Sequence, residues 1–182
     1  MFIQTEKTPN PNALKFLPGK TVSSKGVFEI KNKEEVNNEL VRNIFSINGV
    51  EGIFLGKDFI SVNKKENIRW EDIKHIVISL INEFYLSGND CVIDENLNKN
   101  ENKNLKDIEK KIIQILDSKI RPAVARDGGD IKFKEFKNGV VTVQLQGSCS
   151  GCPSSTMTLK QGVQNLLCHY IPDVKEVIAI QE

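Results

Sequence analysis

Residues 87–104, SGNDCVIDENLNKNENKN, interrupt the chain and set what it can fold into. Asn, Lys, Glu and Asp dominate this stretch, and hydrophobic periodicity stops after Ile93. A segment this polar cannot bury enough apolar surface to offset the entropy of ordering it. It reads as a flexible polar linker. It leaves two units, residues 1–86 and 105–182, each small but within the range that folds alone. The expected class is α+β: two small α/β-sandwich-like domains, the first a mixed strand and helix unit, the second an α-β-β-α-β unit.

In the first unit, MFIQTE and NALKFLP are short strands separated by KTPNPN, where Pro9 and Pro11 impose a turn or an extended crossover. GVFEI is a third strand. KEEVNNELVRNIFSI predicts a helix, since Val36, Leu40, Ile44 and Ile47 recur at helical spacing. VEGIFLGKDFISVN predicts a hairpin turning near Gly56-Lys57. A second helix is predicted from Trp70 to Leu86, with Ile73, Val77, Leu80, Ile81 and Phe84 on its apolar stripe. This unit has no cysteine, and its one histidine, His75, reads as an ordinary helical residue.

The second unit opens with a helix that Asn104 can cap, striped by Ile108, Ile112, Ile115, Leu116 and Ile120. Pro122 is expected to end or kink it, and Gly128-Gly129 to stop it. DIKFKEF alternates as a half-buried strand but breaks phase at Phe136. Asn138-Gly139 predicts a type I′ hairpin turn, and VVTVQLQ returns antiparallel. A helix from about Ser154 to Tyr170 and a final strand in VKEVIAIQ complete the unit.

Between the returning strand and that helix lies QGSCSGCPSS, with Cys149 and Cys152 spaced C-x-x-C. Such a pair serves a redox dithiol, half of a zinc site or half of an iron–sulfur site. Pro153 suits the first helical position, where its missing N–H leaves no bond unmade. The helix N-terminus beyond it favours negative charge and is expected to ease thiolate formation. Gly147 and Gly151 either serve a tight turn or exclude bulk because a cofactor or another subunit must approach closely.

Ligand count narrows the arrangement. A tetrahedral zinc or a cubane cluster takes four protein ligands, and the loop offers two. Taking Leu159, Val163, Leu166 and Tyr170 as the apolar stripe, Cys168 falls near the opposite face, roughly 24 Å along the helix axis from the loop. His169 shares that distance. Cys91 lies in the linker. Two copies of the chain, meeting on a twofold axis through the loop, would give Cys149 and Cys152 twice.

Composition excludes some classes. The net charge of +1 gives no electrostatic reason to expect nucleic acid or a membrane surface as partner. No apolar run approaches the roughly 18 residues that span a bilayer. Four cysteines in 182 residues are too sparse for a disulfide scaffold, so a reducing compartment is expected.

IRPAVARDGGDI, then a hairpin, then GSCSGCPSSTMTLKQGV and HYIPDVKEV, together resemble the C-terminal domain of NifU and of Nfu-type iron–sulfur carriers. MFIQTEKTPNPNALKFLPG and GVEGIFLGKDFISV resemble the N-terminal domain of bacterial and mitochondrial Nfu proteins. The resemblance spans both units and misses only the linker. It implies that Cys149 and Cys152 hold a [4Fe–4S] cluster shared by two subunits of a homodimer. It further implies a carrier without turnover chemistry, supplied by scaffold proteins and delivering to apo iron–sulfur proteins. The N-terminal domain is implied to contact targets without binding a cluster. Cys91, Cys168 and the Asn-rich linker depart from the family pattern but leave the loop intact. The first residues carry no transit segment, so a bacterial cytoplasmic protein is expected ahead of a mitochondrial matrix one. Two other readings stand beside the carrier. A thiol–disulfide oxidoreductase fits strand–C-x-x-C–helix, but the loop lacks an aromatic before Cys149 and the βαβ unit that should precede it. A bridging structural zinc site takes the same four thiolates.

Overall fold

The structure is a computed structural model that describes residues 2–24, 26–93, 105–151 and 153–180. The first half is a five-stranded antiparallel sheet, β1 (Gln4–Lys7), β2 (Ala13–Leu17), β3 (Phe28–Ile30), β4 (Val50–Leu55) and β5 (Ile60–Lys64), in the order β1-β2-β5-β4-β3. One face carries Leu14, Phe16, Ile53, Leu55, Ile60 and Val62. These residues are buried against helices α1 (Glu39–Phe45) and α2 (Trp70–Leu86) through Leu40, Ile44, Val77 and Ile81. The hairpin joining β4 to β5 is where the glycine signal put it, closed by the Gly56 N–H on the Phe59 carbonyl.

Two expectations are revised in this half. Helix α1 starts at Glu39, well inside the predicted 33–47 stretch. Asn38 is the reason: its side chain accepts the Val41 N–H, so it caps the helix and leaves Val36 outside it. The packed half also continues past residue 86. The Val92 N–H bonds the Val22 carbonyl at 2.9 Å, Asn38 Nδ2 bonds the Val92 carbonyl at 2.7 Å, and Val92 and Ile93 enter the core. Apolar side chains at 92 and 93 find a dry site there, so the first part of the polar stretch belongs to the domain. Residues 94–104, the rest of the expected linker, and the proposed cap Asn104 lie outside the described residues.

The second half runs α3 (Asp107–Ile115), a π-helical turn (Leu116–Ile120), α4 (Arg121–Arg126), β6 (Gly129–Lys137), β7 (Val140–Gly147), α5 (Pro153–Tyr170) and β8 (Glu176–Ile180). This is the expected α-β-β-α-β order. Strand β7 is central, antiparallel to β6 and parallel to β8. Pro122 does not end the first helix. The widened π turn just before it takes up the carbonyl clash and the missing donor that a proline imposes, and the helix continues as α4. Asn138 and Gly139 both have positive φ, 52° and 83°, as a type I′ turn requires.

The phase break at Phe136 has a structural cause. A bulge between Phe133 and Glu135 shifts the register, so Ile131, Phe133 and Phe136 face Leu145, Val143 and Val141 respectively. All three of these β6 side chains therefore reach the core formed with Ile112, Leu116, Val124, Val163 and Leu167. On α5 the buried stripe runs through Val163 and Leu167, while Tyr170 is exposed. Cys168 is half-buried and packs against this core, so it does not occupy the opposite, solvent face that the sequence stripe assigned to it.

Candidate cysteine site

Strand β7 ends at Gly147 and α5 begins at Pro153, so the cysteine loop joins the central strand to a helix. Its seat is the Gly128-Gly129 pair between α4 and β6. The Ser148 N–H bonds the Gly128 carbonyl at 3.2 Å, and the Ser148 hydroxyl donates to the Asp127 carbonyl. Gly147 has φ +69°, and a Cβ on it would stand 2.7 Å from the Gly128 carbonyl oxygen and 2.9 Å from the Phe54 ring. A Cβ on Gly129 would lie 2.8 Å from Cys149 Sγ. The double glycine thus makes room for the Cys149 sulfur. Gly151, by contrast, faces open space. At Gly147 the positive φ and the closely packed Gly128, Gly129 and Phe54 of the same chain account for the glycine, as a tight turn requires.

Cys149 is buried, 7% exposed, and its carbonyl accepts the Thr156 hydroxyl at 3.2 Å from the first turns of α5. Its sulfur side belongs to a cavity of about 590 Å³ between α4 and α5, lined by Val124, Asp127, Leu159, Val163 and, from the first half, Pro9. Burial, with the Asp127 and Asp130 carboxylates nearby, pushes the Cys149 thiol up to about 11, against a smaller lowering by Ser148. This runs against the expectation of an easily formed thiolate, because burial takes water away from the sulfur. Asp127 and Asp130 are themselves held above the ordinary carboxylate range by burial, offset in part by Lys15 and Arg121 respectively. Asp130 pairs with Arg121 at 3.1 Å, which ties the seat of the loop to α4.

Cys152 lies outside the described residues. Cys168 and His169 stand at the far end of α5 and do not line the loop cavity. Among the described residues, no group of three or more His, Cys, Asp or Glu side chains is placed to hold a metal ion.

The loop has partners that the linear sequence hid. They come from the first half, on the sheet face away from α1 and α2. Strand register aligns Glu6, Lys15, Ser61, Phe54 and Glu29 in one row across all five strands. Lys15 Nζ donates to the Arg126 carbonyl at 3.3 Å. Ser61 abuts Gly128, and Phe54 abuts Gly147. Glu29 Oε1 accepts the Gly147 N–H at 3.0 Å and the Ser150 hydroxyl at 3.3 Å. Beside the row, Asn63 Nδ2 donates to the Gly147 carbonyl and Asn10 Nδ2 to the Ser150 carbonyl, each at 3.3 Å. The only sequence signal for this was a strand face of polar residues, which reads as solvent-facing.

A strand–loop–helix junction carrying Cys149 on a double-glycine seat, in a small α-β-β-α-β domain with a second α+β domain against it, defines a two-domain protein with a cysteine loop at the seam. Two family models match it, the NifU-like domain over residues 112–178 and the scaffold protein Nfu/NifU N-terminal domain over residues 3–88. Among curated proteins, the chain is 44% identical over 182 residues to the mitochondrial NFU1 iron–sulfur cluster scaffold homolog of Drosophila erecta. It is 38% identical over 184 residues to the mitochondrial NifU-like protein 4 of Arabidopsis thaliana. These matches cover 97% of this chain but only 64% and 65% of the relatives, so the chain spans slightly less than two thirds of their length. A solution NMR structure of a NifU-like protein from Saccharomyces cerevisiae is 35% identical, with a TM-score of 0.48, covering 53% of this chain and 87% of that one. The chain belongs to the Nfu-type family of iron–sulfur scaffold proteins. The bacterial cytoplasmic expectation is overturned, because both curated relatives are named mitochondrial. That expectation rested on the character of the first residues alone, while the relatives extend beyond the stretch matched here.

Proposed function

We propose that this chain is a carrier whose cargo is a [4Fe–4S] cluster, held by Cys149 and Cys152 of two copies and passed to apo-proteins, with no turnover chemistry of its own. The setting is the one the relatives' names give, mitochondrial. The observation that carries the reading is the seating of Cys149. Its sulfur sits where Gly129 has no side chain, beside an exposed Gly151, in a family whose relatives are named cluster scaffolds. The donor chemistry suits such a cargo: cysteine sulfur is the ligand that iron–sulfur clusters take.

The burial of Cys149 favours the carrier over the oxidoreductase reading. A catalytic dithiol needs an exposed cysteine with a depressed pKa. Cys149 has neither property. Iron does not need a preformed thiolate, since a coordinating thiol is deprotonated by the metal and its proton is released on binding. A centre bridging two small loops is open to stepwise replacement of its thiolates by those of an acceptor, as delivery requires.

The test is anaerobic loading of the full chain with iron and sulfide, followed by iron, sulfide and zinc analysis and by sedimentation. Iron and sulfide in equal amounts, about four of each for two chains, together with a shift from monomer to dimer, are expected. Cys149→Ser and Cys152→Ser should each abolish loading, and Cys168→Ser should retain it. Transfer to an apo [4Fe–4S] acceptor should return the donor to monomer. Stoichiometric zinc in place of iron, or a loaded protein that stays monomeric, would overturn the reading.

A further inference from the structure

We infer that the second face of the N-terminal sheet is a docking surface for this chain's own cysteine loop, and that docking and the pairing of two loops around a cluster exclude each other. The second clause rests on the carrier reading; the first does not.

The docking row reads the loop through its backbone. Glu29 takes the Gly147 N–H, Asn63 the Gly147 carbonyl, Asn10 the Ser150 carbonyl and Lys15 the Arg126 carbonyl. These hydrogen bonds grip the loop on both sides of Cys149 and over its glycine seat. Phe54, 1% exposed, fills the space that a side chain at Gly147 would need. Pro9 from the same half closes part of the cavity that Cys149 lines. The result is a cysteine only 7% exposed. A cluster shared by two copies needs that sulfur at a surface where a second loop can approach within bonding distance of the same iron atoms. The docked arrangement denies it that surface.

The seam is also built to come apart. Ser61 Oγ and Asn63 Oδ1 are buried there without a hydrogen-bond partner. Lys15, by contrast, is partnered there, by the Glu6 carboxylate at 3.4 Å and the Arg126 carbonyl at 3.3 Å. Buried polar atoms without partners regain water when the seam opens, and that hydration offsets part of the cost of separating the two surfaces. A permanent domain core would place apolar side chains there, as the opposite face of the same sheet does.

The experiment compares the wild-type full chain with a Glu29→Ala/Asn63→Ala double variant, without cargo and then during loading. Without cargo, iodoacetamide alkylation of Cys149 is followed by peptide mapping, with Cys168 as the internal reference. Removing these two side chains' hydrogen bonds to the loop should raise the Cys149-to-Cys168 rate ratio by roughly tenfold or more. General loosening of the fold would speed both thiols together and leave the ratio unchanged. An unchanged ratio, with either absolute rate, overturns docking. During loading with iron and sulfide, the variant should reach the same occupancy faster than wild type. A raised ratio with slower or incomplete loading would overturn the exclusion and make docking an aid to loading. If neither protein takes up iron, the carrier reading fails, while the alkylation ratio still decides whether the sheet holds the loop.

Discussion

The two faces of the N-terminal sheet are made of the same strands, yet they differ in kind. One carries Phe16, Ile53, Leu55, Ile60 and Val62 against two helices. The other carries Lys15, Ser61, Phe54 and Glu29 against the cysteine loop. The alternation is that of an antiparallel sheet with one solvated face. Here the solvated-type face is covered by the other half of the same chain. Apolar burial holds a fold together without direction, whereas hydrogen bonds to loop backbone fix an orientation with little net stabilisation. The difference assigns the two faces different jobs: the first makes the domain, and the second positions the chemistry of its neighbour.

The sharpest contrast is between Cys149, beneath the seam, and Cys168, at the far end of α5. A thiol raised to about 11 is about a thousandth ionised at pH 8. In the cargo-free chain, Cys149 alkylation should therefore climb about tenfold per pH unit from pH 7 to 10 and level off only above about 11. The sign follows from the burial: the folded chain holds this proton more tightly than water-exposed cysteine does. Mass-spectrometric rates across that range check it. A Cys149 rate that levels off near pH 8 would mean that the loop spends its time exposed, and the contrast would vanish.

The apolar face can be tested by removing its largest fully buried residue. Phe16→Ala should cost about 3–5 kcal/mol in the N-terminal half. Trp70, the chain's single tryptophan, meets Phe16 edge-on and reports that half alone. In urea, the Trp70 transition should move to lower denaturant, while a far-ultraviolet circular dichroism transition from the C-terminal half remains close to its wild-type position. Both moving together would show that the polar seam couples the halves as strongly as a core does.

Gly147→Ala attacks the seam from the loop side. Its Cβ would meet the Gly128 carbonyl at 2.7 Å, Gly129 Cα at 2.9 Å and the Phe54 ring at 2.9 Å, from a backbone at φ +69°. The combined strain should cost roughly 1–3 kcal/mol. The C-terminal transition should fall and Cys149 should alkylate faster, with the Trp70 transition little changed. An unaffected C-terminal half would show that the double-glycine seat is not required.

How much of this could be read beforehand differs between the two faces for a physical reason. Local signals were legible: the Asn138-Gly139 turn, the helix from Trp70 to Leu86, and the C-x-x-C loop at a strand-to-helix junction all occur as expected. The phase break at Phe136 was visible as an anomaly, and its bulge needed the partner strand to explain it. Helix α1 was drawn too long because periodicity ignores a capping Asn38. On α5 the stripe through Leu159, Val163 and Leu166 does face the core, but that face is wider than the stripe and takes in Leu167 and Cys168, while Tyr170 is exposed. Glu29 and Gly147 touch across 118 positions, and no local pattern in either strand announces the other. Polar alternation looks the same whether water or a cysteine loop covers it. The same desolvation that hid the seam also runs against the expected ease of ionising Cys149.

The smallest effect separates a seam from a core most cleanly. Ser61 is 1% exposed, and its hydroxyl has no hydrogen-bond partner. In a core, deleting a buried atom leaves a hole and lowers stability. Here the atom deleted is one whose burial already opposes folding, and the hole is a single oxygen. Ser61→Ala should therefore change the Trp70 transition by less than about 1 kcal/mol, and in the stabilising direction. It should also tighten docking, because an alanine methyl loses no water-bonded partner when Gly128 covers it. Cys149 alkylation should then slow relative to Cys168. The opposite substitution at the same spot, Ser61→Asp, adds a charge that the closed seam cannot hydrate, and should raise the Cys149 rate. If Ser61→Ala destabilises the N-terminal half and speeds alkylation instead, then the hydroxyl is making a bond in solution. The seam would then be a satisfied interface, and the argument that it is made to open would lose its support.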